Sequence, residues 1–511
     1  MKFSRKVQDL AFSTILMLFI AAASRAEPPS DLGSTARINL FTGPVTQMLS
    51  ALPATSGALP DDARIGISAR WQYDPDRVIE YLKQANIKWL RLGYDEDAAP
   101  VLKLARKANL KVLLMLAYGP ADTMSPDDLA DWYVAKAEKI LDGNLDVVKA
   151  VQIWNEPFNF PRTEKGGKRM SAWVARYGGR WYGGPYVTPF GQFTARVASE
   201  LRKRYPELTL VGGTKIVGST LQVLETDKPP LDAVYLQPYP RDWPPELLRT
   251  ANDPWSPDLV SDWRVGPAID KIMERARTSS GNQDLRLWIT EIGATTYVPE
   301  GPVRKADFPP VSEEMQAQLY ARIWATYMHS EVERLFFFLL NDEKSTPVPD
   351  QPNRNFAIIA SGWRPKPAWF VLARLNALTS ATPVPDDSIQ FQIRDSGEKH
   401  KPRQTLLTTV THRSIAYAEN ILVFGFRSPR VPELVAIWRD GTLPVDGQPP
   451  GEPWEVGLRL PQSIFDCGVI GIDPLTGGSW NANTVHTSDG LEVTVQVSDY
   501  PIILVPSKPN C

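Results

Sequence analysis

The sequence predicts an α/β fold, a (β/α)8 barrel of the TIM type followed by a C-terminal antiparallel β-sandwich domain. Three observations carry that expectation. Short apolar runs alternate with amphipathic helical stretches eight times between Arg64 and Ala377, which is the rhythm of a parallel barrel wrapped by helices. No glycine-rich phosphate loop follows the first strand, as the competing doubly wound open sheet would want. Beyond Ala381 the helical period stops and short β-rich runs follow one another.

The strands are expected at Arg64–Ser68, Ile87–Gly93, Lys111–Leu116, Val148–Trp154, Leu208–Gly213, Ala233–Leu236, Leu285–Thr290 and Arg334–Leu339. Each is apolar along its length, as strands buried on both faces must be. Between them, helical spacing such as Val78, Ile79 and Leu82 predicts helices at 76–85, 98–108, 129–141, 189–204, 268–277, 313–328 and 366–378. The sandwich strands are read at 405–411, 421–426, 434–438, 454–460, 469–472, 491–497 and 502–505, with Asp440-Gly441 and Asp489-Gly490 as turn signals.

The resulting layout is a signal peptide at 1–26, an irregular lead-in at 27–62, the barrel at 63–380 and the sandwich at 381–511. The first segment has a charged start (Lys2, Arg5, Lys6), an apolar run from Leu10 to Ala23, and Ala-Ser-Arg-Ala before Glu27. That run is shorter than the roughly 20 residues that span a bilayer, so cleavage and an exported protein, periplasmic or secreted, are expected. The Pro- and Ala-rich lead-in is expected to wrap the second domain. Cys467 and Cys511 are the two cysteines, and an oxidising compartment would let them pair.

Composition excludes several classes. The net charge of −2 gives no basic field for nucleic acid. The four histidines, His329, His400, His412 and His486, form no ligand-like spacing, which argues against a zinc site or a Ser-His-Asp hydrolase. No cofactor or metal is called for, and a monomer acting on a polysaccharide or oligosaccharide is expected.

The chemistry sits where barrels keep it, at the C-terminal ends of strands. The fourth strand closes in Trp154-Asn155-Glu156-Pro157 and the seventh in Thr290-Glu291-Ile292-Gly293. Two carboxylates facing each other at about 5–5.5 Å are the apparatus of a retaining glycosidase. One must be protonated to release the leaving oxygen and the other ionised to attack the anomeric carbon. Like charges held close raise one of the two pKa values, which would make that split.

At these residues the sequence resembles clan A glycoside hydrolases, and among them most closely glycoside hydrolase family 39 and its bacterial exopolysaccharide endoglycosidases, with family 5-like enzymes as the neighbouring alternative. The resemblance covers the whole barrel. It implies Glu156 as acid/base, Glu291 as nucleophile and Asn155 as a ligand of the sugar 2-hydroxyl. It further implies that Arg91, closing the second strand, steadies the nucleophile, and that Tyr239 in Gln237-Pro238-Tyr239 bonds to it. Many clan members carry histidine where Gln237 stands, so any role needing imidazole is in doubt here. The resemblance also inclines the expectation toward an endo-acting enzyme. A transglycosylase using the same residues, and a non-catalytic glycan-binding protein of an export system, are the other classes the sequence admits.

Aromatic residues in the loops after strands four and six are candidates for the sugar cleft: Trp173, Tyr177, Trp181, Tyr182, Trp243, Trp255 and Trp263. Six cations, Arg162, Lys165, Lys168, Arg169, Arg176 and Arg180, stand against Glu164 in the first of these loops. They suggest an anionic glycan; a solvated charged loop is the plainer alternative.

Overall fold

In the computed structural model the described residues run from Asn39 to Lys508, apart from 52–62, 94–97, 117, 166–167, 181–182, 250–261, 299–307, 342–354, 390, 396–403, 409–413, 441–452, 462–464 and 489. Residues 1–26, expected as a signal peptide, and Trp181, Tyr182, Trp255 and Cys511 lie outside them. All described residues belong to one compact unit, Asn39–Cys511.

Eight parallel strands close into a barrel. They are β1 (Ile65–Ser68), β2 (Trp89–Gly93), β3 (Lys111–Met115), β4 (Val148–Gln152), β5 (Thr209–Lys215), β6 (Ala233–Leu236), β7 (Arg286–Ile292) and β8 (Val332–Phe337). Each pairs with its predecessor in the chain, and β8 closes on β1 through Ile65↔Leu335, Gly66↔Phe336 and Ile67↔Phe337. Glycine at 66 is needed because a Cβ there would run into the Phe336 ring. The helices between strands follow the expected stretches, and their ends carry physical stops. Asp74, Ser125 and Ser312 each accept a backbone N–H from the first turn of a helix, at Arg77, Asp128 and Met315. The helix Val217–Asp227 is one the sequence pattern did not announce.

The C-terminal region folds as two larger antiparallel sheets and a two-stranded one, Gln404–Thr408 with Ser414–Ala418. One of the larger sheets runs in the order 384–385, 421–427, 434–439, 502–506, 469–472 and 479–481; the other runs 392–395, 454–460, 490–497 and 483–487. Along Trp454–Leu460 buried residues alternate with more exposed ones, the signature of a strand with one face on a core. That core gathers Trp454, Val456, Leu458, Val493, Val495, Ile437, Ile502 and Leu504. Cys467 is disulfide-bonded.

Barrel and sandwich share buried contacts. Arg322, on the helix Glu313–Met328, donates through Nε and Nη2 to both oxygens of Glu246, each at 2.7 Å, and the Trp438 indole N–H of the sandwich donates to the same carboxylate at 2.9 Å. His329 stacks on Phe424 of the sandwich with centroids 4.2 Å apart. Arg374, on the last barrel helix, donates to the Pro474 and Leu475 carbonyls of the sandwich and to the Leu40 carbonyl of the lead-in. The lead-in continues onto the sandwich, where Thr42 N–H donates to the Gly477 carbonyl at 3.0 Å.

Candidate active site

The chain after β4 turns sharply. Trp154 and Glu156 both adopt positive φ, +66° and +45°, a region that costs a residue with a side chain about 1–3 kcal/mol and persists only when its surroundings hold it. Those surroundings are on hand. The Trp154 N–H donates to the Tyr133 hydroxyl at 3.1 Å, its carbonyl accepts from Gln152 Nε2 at 2.9 Å, and the Glu156 N–H donates to the Tyr235 hydroxyl at 3.3 Å. The Trp154 ring is wedged among Tyr118, Tyr133, Trp173 and Phe193. The turn delivers Glu156 to a buried position, 6% exposed.

Glu291 lies one strand pair beyond β6, near the end of β7, and is also buried, at 8%. Arg91 Nη1 donates to its Oε1 at 2.7 Å, and the Tyr239 hydroxyl donates to its Oε2 at 3.0 Å. Burial, and then the nearby Glu291 and Glu156 carboxylates, push the Tyr239 phenol well above its ordinary value of 10.0, so it remains a donor. Gly293 lies two residues on; a Cβ at this position would press on the Phe338 carbonyl oxygen and the Tyr320 hydroxyl.

Arg91 is the hub. Besides Glu291 it donates to Gln152 Oε1 at 2.9 Å, Ser68 Oγ at 3.3 Å, Asn155 Oδ1 at 3.1 Å and Met115 Sδ at 3.4 Å. A guanidinium only donates, so these bonds fix which ends of Gln152 and Asn155 are oxygen. Asn155 Oδ1 then also accepts from Gln152 Nε2 at 3.1 Å and Gln237 Nε2 at 2.7 Å. That oxygen is fully used, and only Asn155 Nδ2, now near the Tyr118 hydroxyl at 3.3 Å, is left to meet a sugar hydroxyl. Gln237 Oε1 is buried without a hydrogen-bond partner. Among the described residues Gln237 therefore keeps one acceptor in reserve. Arg91, Asn155, Gln237, Tyr239 and Glu291 thus lie in one hydrogen-bond network, and a lysine 5.3 Å from the centre of the Tyr239 ring extends it to Glu156.

One member of that network was not anticipated. Lys215, the last residue of β5, places Nζ on Glu156 Oε1, while Asn159 Nδ2 donates to Glu156 Oε2 at 2.9 Å. Burial pushes the Glu156 carboxyl up, but the Lys215 ammonium, with help from Asn159 and Arg91, outweighs it and holds the group below its ordinary 4.5. This corrects the expected electrostatics at Glu156, whose carboxyl is held down by the cation beside it. The sequence carried a usable signal. Lys215 ends a strand as both glutamates do, but the strand was expected to stop at Gly213.

The loop aromatics act as anchors more than as cleft walls. Trp173 and Trp243 are each 1% exposed. Trp173 packs on Tyr177, Phe190 and Phe193, and Trp243 packs on Leu247, Leu407 and Trp263. The basic loop is an antiparallel hairpin, Arg162–Lys165 with Lys168–Ser171, leading into the short helix Ala172–Tyr177. Arg162 Nη2 donates to Asn159 Oδ1 at 3.1 Å, two bonds from Glu156, and Lys168 and Arg169 are exposed. Lys165 and Arg176 are instead spent on the Ala175 and Met124 carbonyls. Among the described residues no group of histidine, cysteine, aspartate and glutamate could hold a metal ion, and no helix is long and apolar enough to cross a membrane.

No family model matches the chain and no curated protein matches it. Solved structures do. A family 2 β-galacturonidase from Eisenbergiella tayi bound to galacturonate is 14% identical over 59% of this chain and 47% of its own, with a TM-score of 0.40. The β-glucuronidase of Ruminococcus gnavus is 16% identical over 61% and 49%, with a TM-score of 0.40. The catalytic domain of the family 30 xylanase C from Talaromyces cellulolyticus is 10% identical over 86% and 96%, with a TM-score of 0.46. The chain spans about half the length of the galacturonidase and the glucuronidase. At these identities and TM-scores the likeness carries no functional argument.

Proposed function

We propose that this chain is a retaining glycoside hydrolase that cleaves a polysaccharide, with Glu291 as nucleophile and Glu156 as acid/base. The observation that carries this is that two buried glutamates are served by one set of side chains at the barrel mouth: Arg91 and Tyr239 bond to Glu291, and Lys215, paired with Glu156, lies 5.3 Å from the centre of the Tyr239 ring.

In the first step a Glu291 oxygen attacks the anomeric carbon and the bond to the leaving oxygen breaks, while Glu156 hands that oxygen a proton. In the second, Glu156 takes a proton from water, whose oxygen attacks the same carbon and frees Glu291. Arg91 and Tyr239 keep the Glu291 carboxylate aimed, and Asn155 Nδ2 and Gln237 Oε1 offer a donor and an acceptor to sugar hydroxyls. On these residues we group the chain with clan A, nearest family 39, and read it as endo-acting. The N-terminal layout supports export to the periplasm or beyond the cell, and the hairpin cations Arg162, Lys168 and Arg169 favour an anionic polymer.

The test is a screen of purified protein against neutral and acidic polysaccharides, with product size and the configuration of the released anomeric proton read by NMR. Retention of configuration, with activity lost in folded Glu291→Gln and Glu156→Gln, is the expected result. Inversion, or full activity in either variant, overturns the assignment.

A further inference from the structure

Cleavage by two carboxylates does not call for a lysine on the proton donor. An ammonium there stabilises the ionised form of Glu156, which is the wrong state for protonating a leaving oxygen. The backbone nevertheless goes out of its way to put it there. Lys215 has a φ of +76°, in the left-handed region that lysine rarely occupies. It sits at a register irregularity of β5, between the Gly212↔Val234 and Lys215↔Leu236 pairs. Its side chain is 17% exposed against 8% for Glu156, so the pair is largely withdrawn from water but open on the lysine side.

The partners differ in freedom. Arg91 is held by five side chains, whereas the Lys215 stem is flexible and its three N–H donors can turn to a new acceptor. Its Nζ also lies 5.3 Å from the centre of the Tyr239 ring, so it stands between the groups that serve the two glutamates. Further cations lie on the same side. Arg241 packs 4.6 Å over Phe308, itself 5.2 Å from Tyr239, while the partly buried Arg249 is paired through Nε with Asp242 at 3.9 Å. The groups facing Glu156 are Lys215 from β5, Arg91 from β2, Tyr235 from β6, Asn159 from its own turn, and the more distant Tyr118, Tyr239 and Glu291.

We propose that Lys215 receives an acidic group, the carboxylate of a hexuronic acid flanking the scissile bond, and that moving its ammonium from Glu156 to the substrate is what readies Glu156 to act as the acid. It rests on the reading of Glu156 as proton donor. The balance is simple. The incoming carboxylate pairs with the Lys215 ammonium, and Glu156, losing that partner while still buried, takes up one proton from solvent. A neutral sugar leaves Lys215 where it is and Glu156 ionised.

The experiment is calorimetric binding of D-glucuronate and D-galacturonate against D-glucose and D-galactose to the full chain, near pH 6, in two buffers of different ionisation enthalpy. Carried out on wild type, Lys215→Met and Lys215→Arg, it reads affinity and proton uptake together. The wild type should bind a hexuronate at least about tenfold more tightly than its hexose and take up close to one proton. Lys215→Met should lose both the preference and the uptake, and Lys215→Arg should keep the preference. No preference in the wild type, or proton uptake that persists in Lys215→Met, overturns the proposal. The polysaccharide screen reports separately: activity lost in Glu291→Gln without any hexuronate preference sinks only the role of Lys215. Preference with proton uptake but no turnover sinks the glycosidase reading instead.

Discussion

At the end of β7 the Glu291 carboxylate is gripped through both oxygens, by a guanidinium tied to four other side chains and by a phenol. At the end of β4 the Glu156 carboxylate rests on a lysine stem and a turn asparagine. The same side chain is thus fixed at one end of the mouth and exchangeable at the other. A nucleophile profits from a permanent grip, because its geometry must be set before the anomeric carbon arrives. A group that alternates between acid and base profits from a partner that can leave.

The largest test of this contrast compares the two glutamines. Glu291→Gln should lower turnover by about 10⁴-fold or more on every substrate. Glu156→Gln should match that loss on natural polymers, but on a 2,4-dinitrophenyl glycoside, whose leaving group needs no proton, it should keep most of its kcat/KM while kcat stays limited by the unassisted second step. Equal losses on both substrates would erase the distinction. Next comes Arg91→Met, which strips a buried charge from Glu291 and a donor from Asn155, Gln152 and Ser68. Turnover should fall about 10²–10³-fold and stability by roughly 3 kcal/mol or more, read by denaturant melts.

Tyr239→Phe removes one donor of the grip and nothing else. It should cost about 10–10²-fold in kcat with little change in KM. The smallest effect lies at the exchangeable end. The folded state holds the Glu156 pKa below its ordinary 4.5, so its ionised form contributes stability above that pH, and the contribution fades as pH falls through the lowered value. Lys215→Met should therefore lose thermal stability relative to wild type at neutral pH, and the gap should close as the pH falls below 4.5.

The barrel was legible because its strands are buried on both faces and read as plain apolar runs, from Lys111–Met115 to Val332–Phe337. The strand-end rule then led directly to Glu156, Glu291 and Arg91. It stopped short at β5, whose last two residues and following helix are set by side-chain bonds. Thr214 N–H donates to the Thr220 hydroxyl at 3.0 Å, and the Thr214 hydroxyl donates to the Ile216 carbonyl at 3.0 Å. No periodicity announces such bonds, and the helix Val217–Asp227 mixes Gly, Ser and Thr into its pattern. The loop tryptophans pointed elsewhere for a different reason: a large ring in a long loop is as useful for holding the loop as for holding a sugar, and Trp173 and Trp243 are used in the first way.

Glu246 sits seven residues beyond Tyr239 in the chain, and its carboxylate is shared between a barrel arginine and a sandwich indole. The sandwich is consequently wired to the stretch of backbone that carries Tyr239, the phenol on Glu291. A barrel severed before residue 381 would leave Arg322 and Glu246 facing the void where Trp438 had been, with water entering beneath that stretch. The two halves are therefore a single heritable part: the catalytic half cannot be borrowed, trimmed or grafted elsewhere without bringing its companion along.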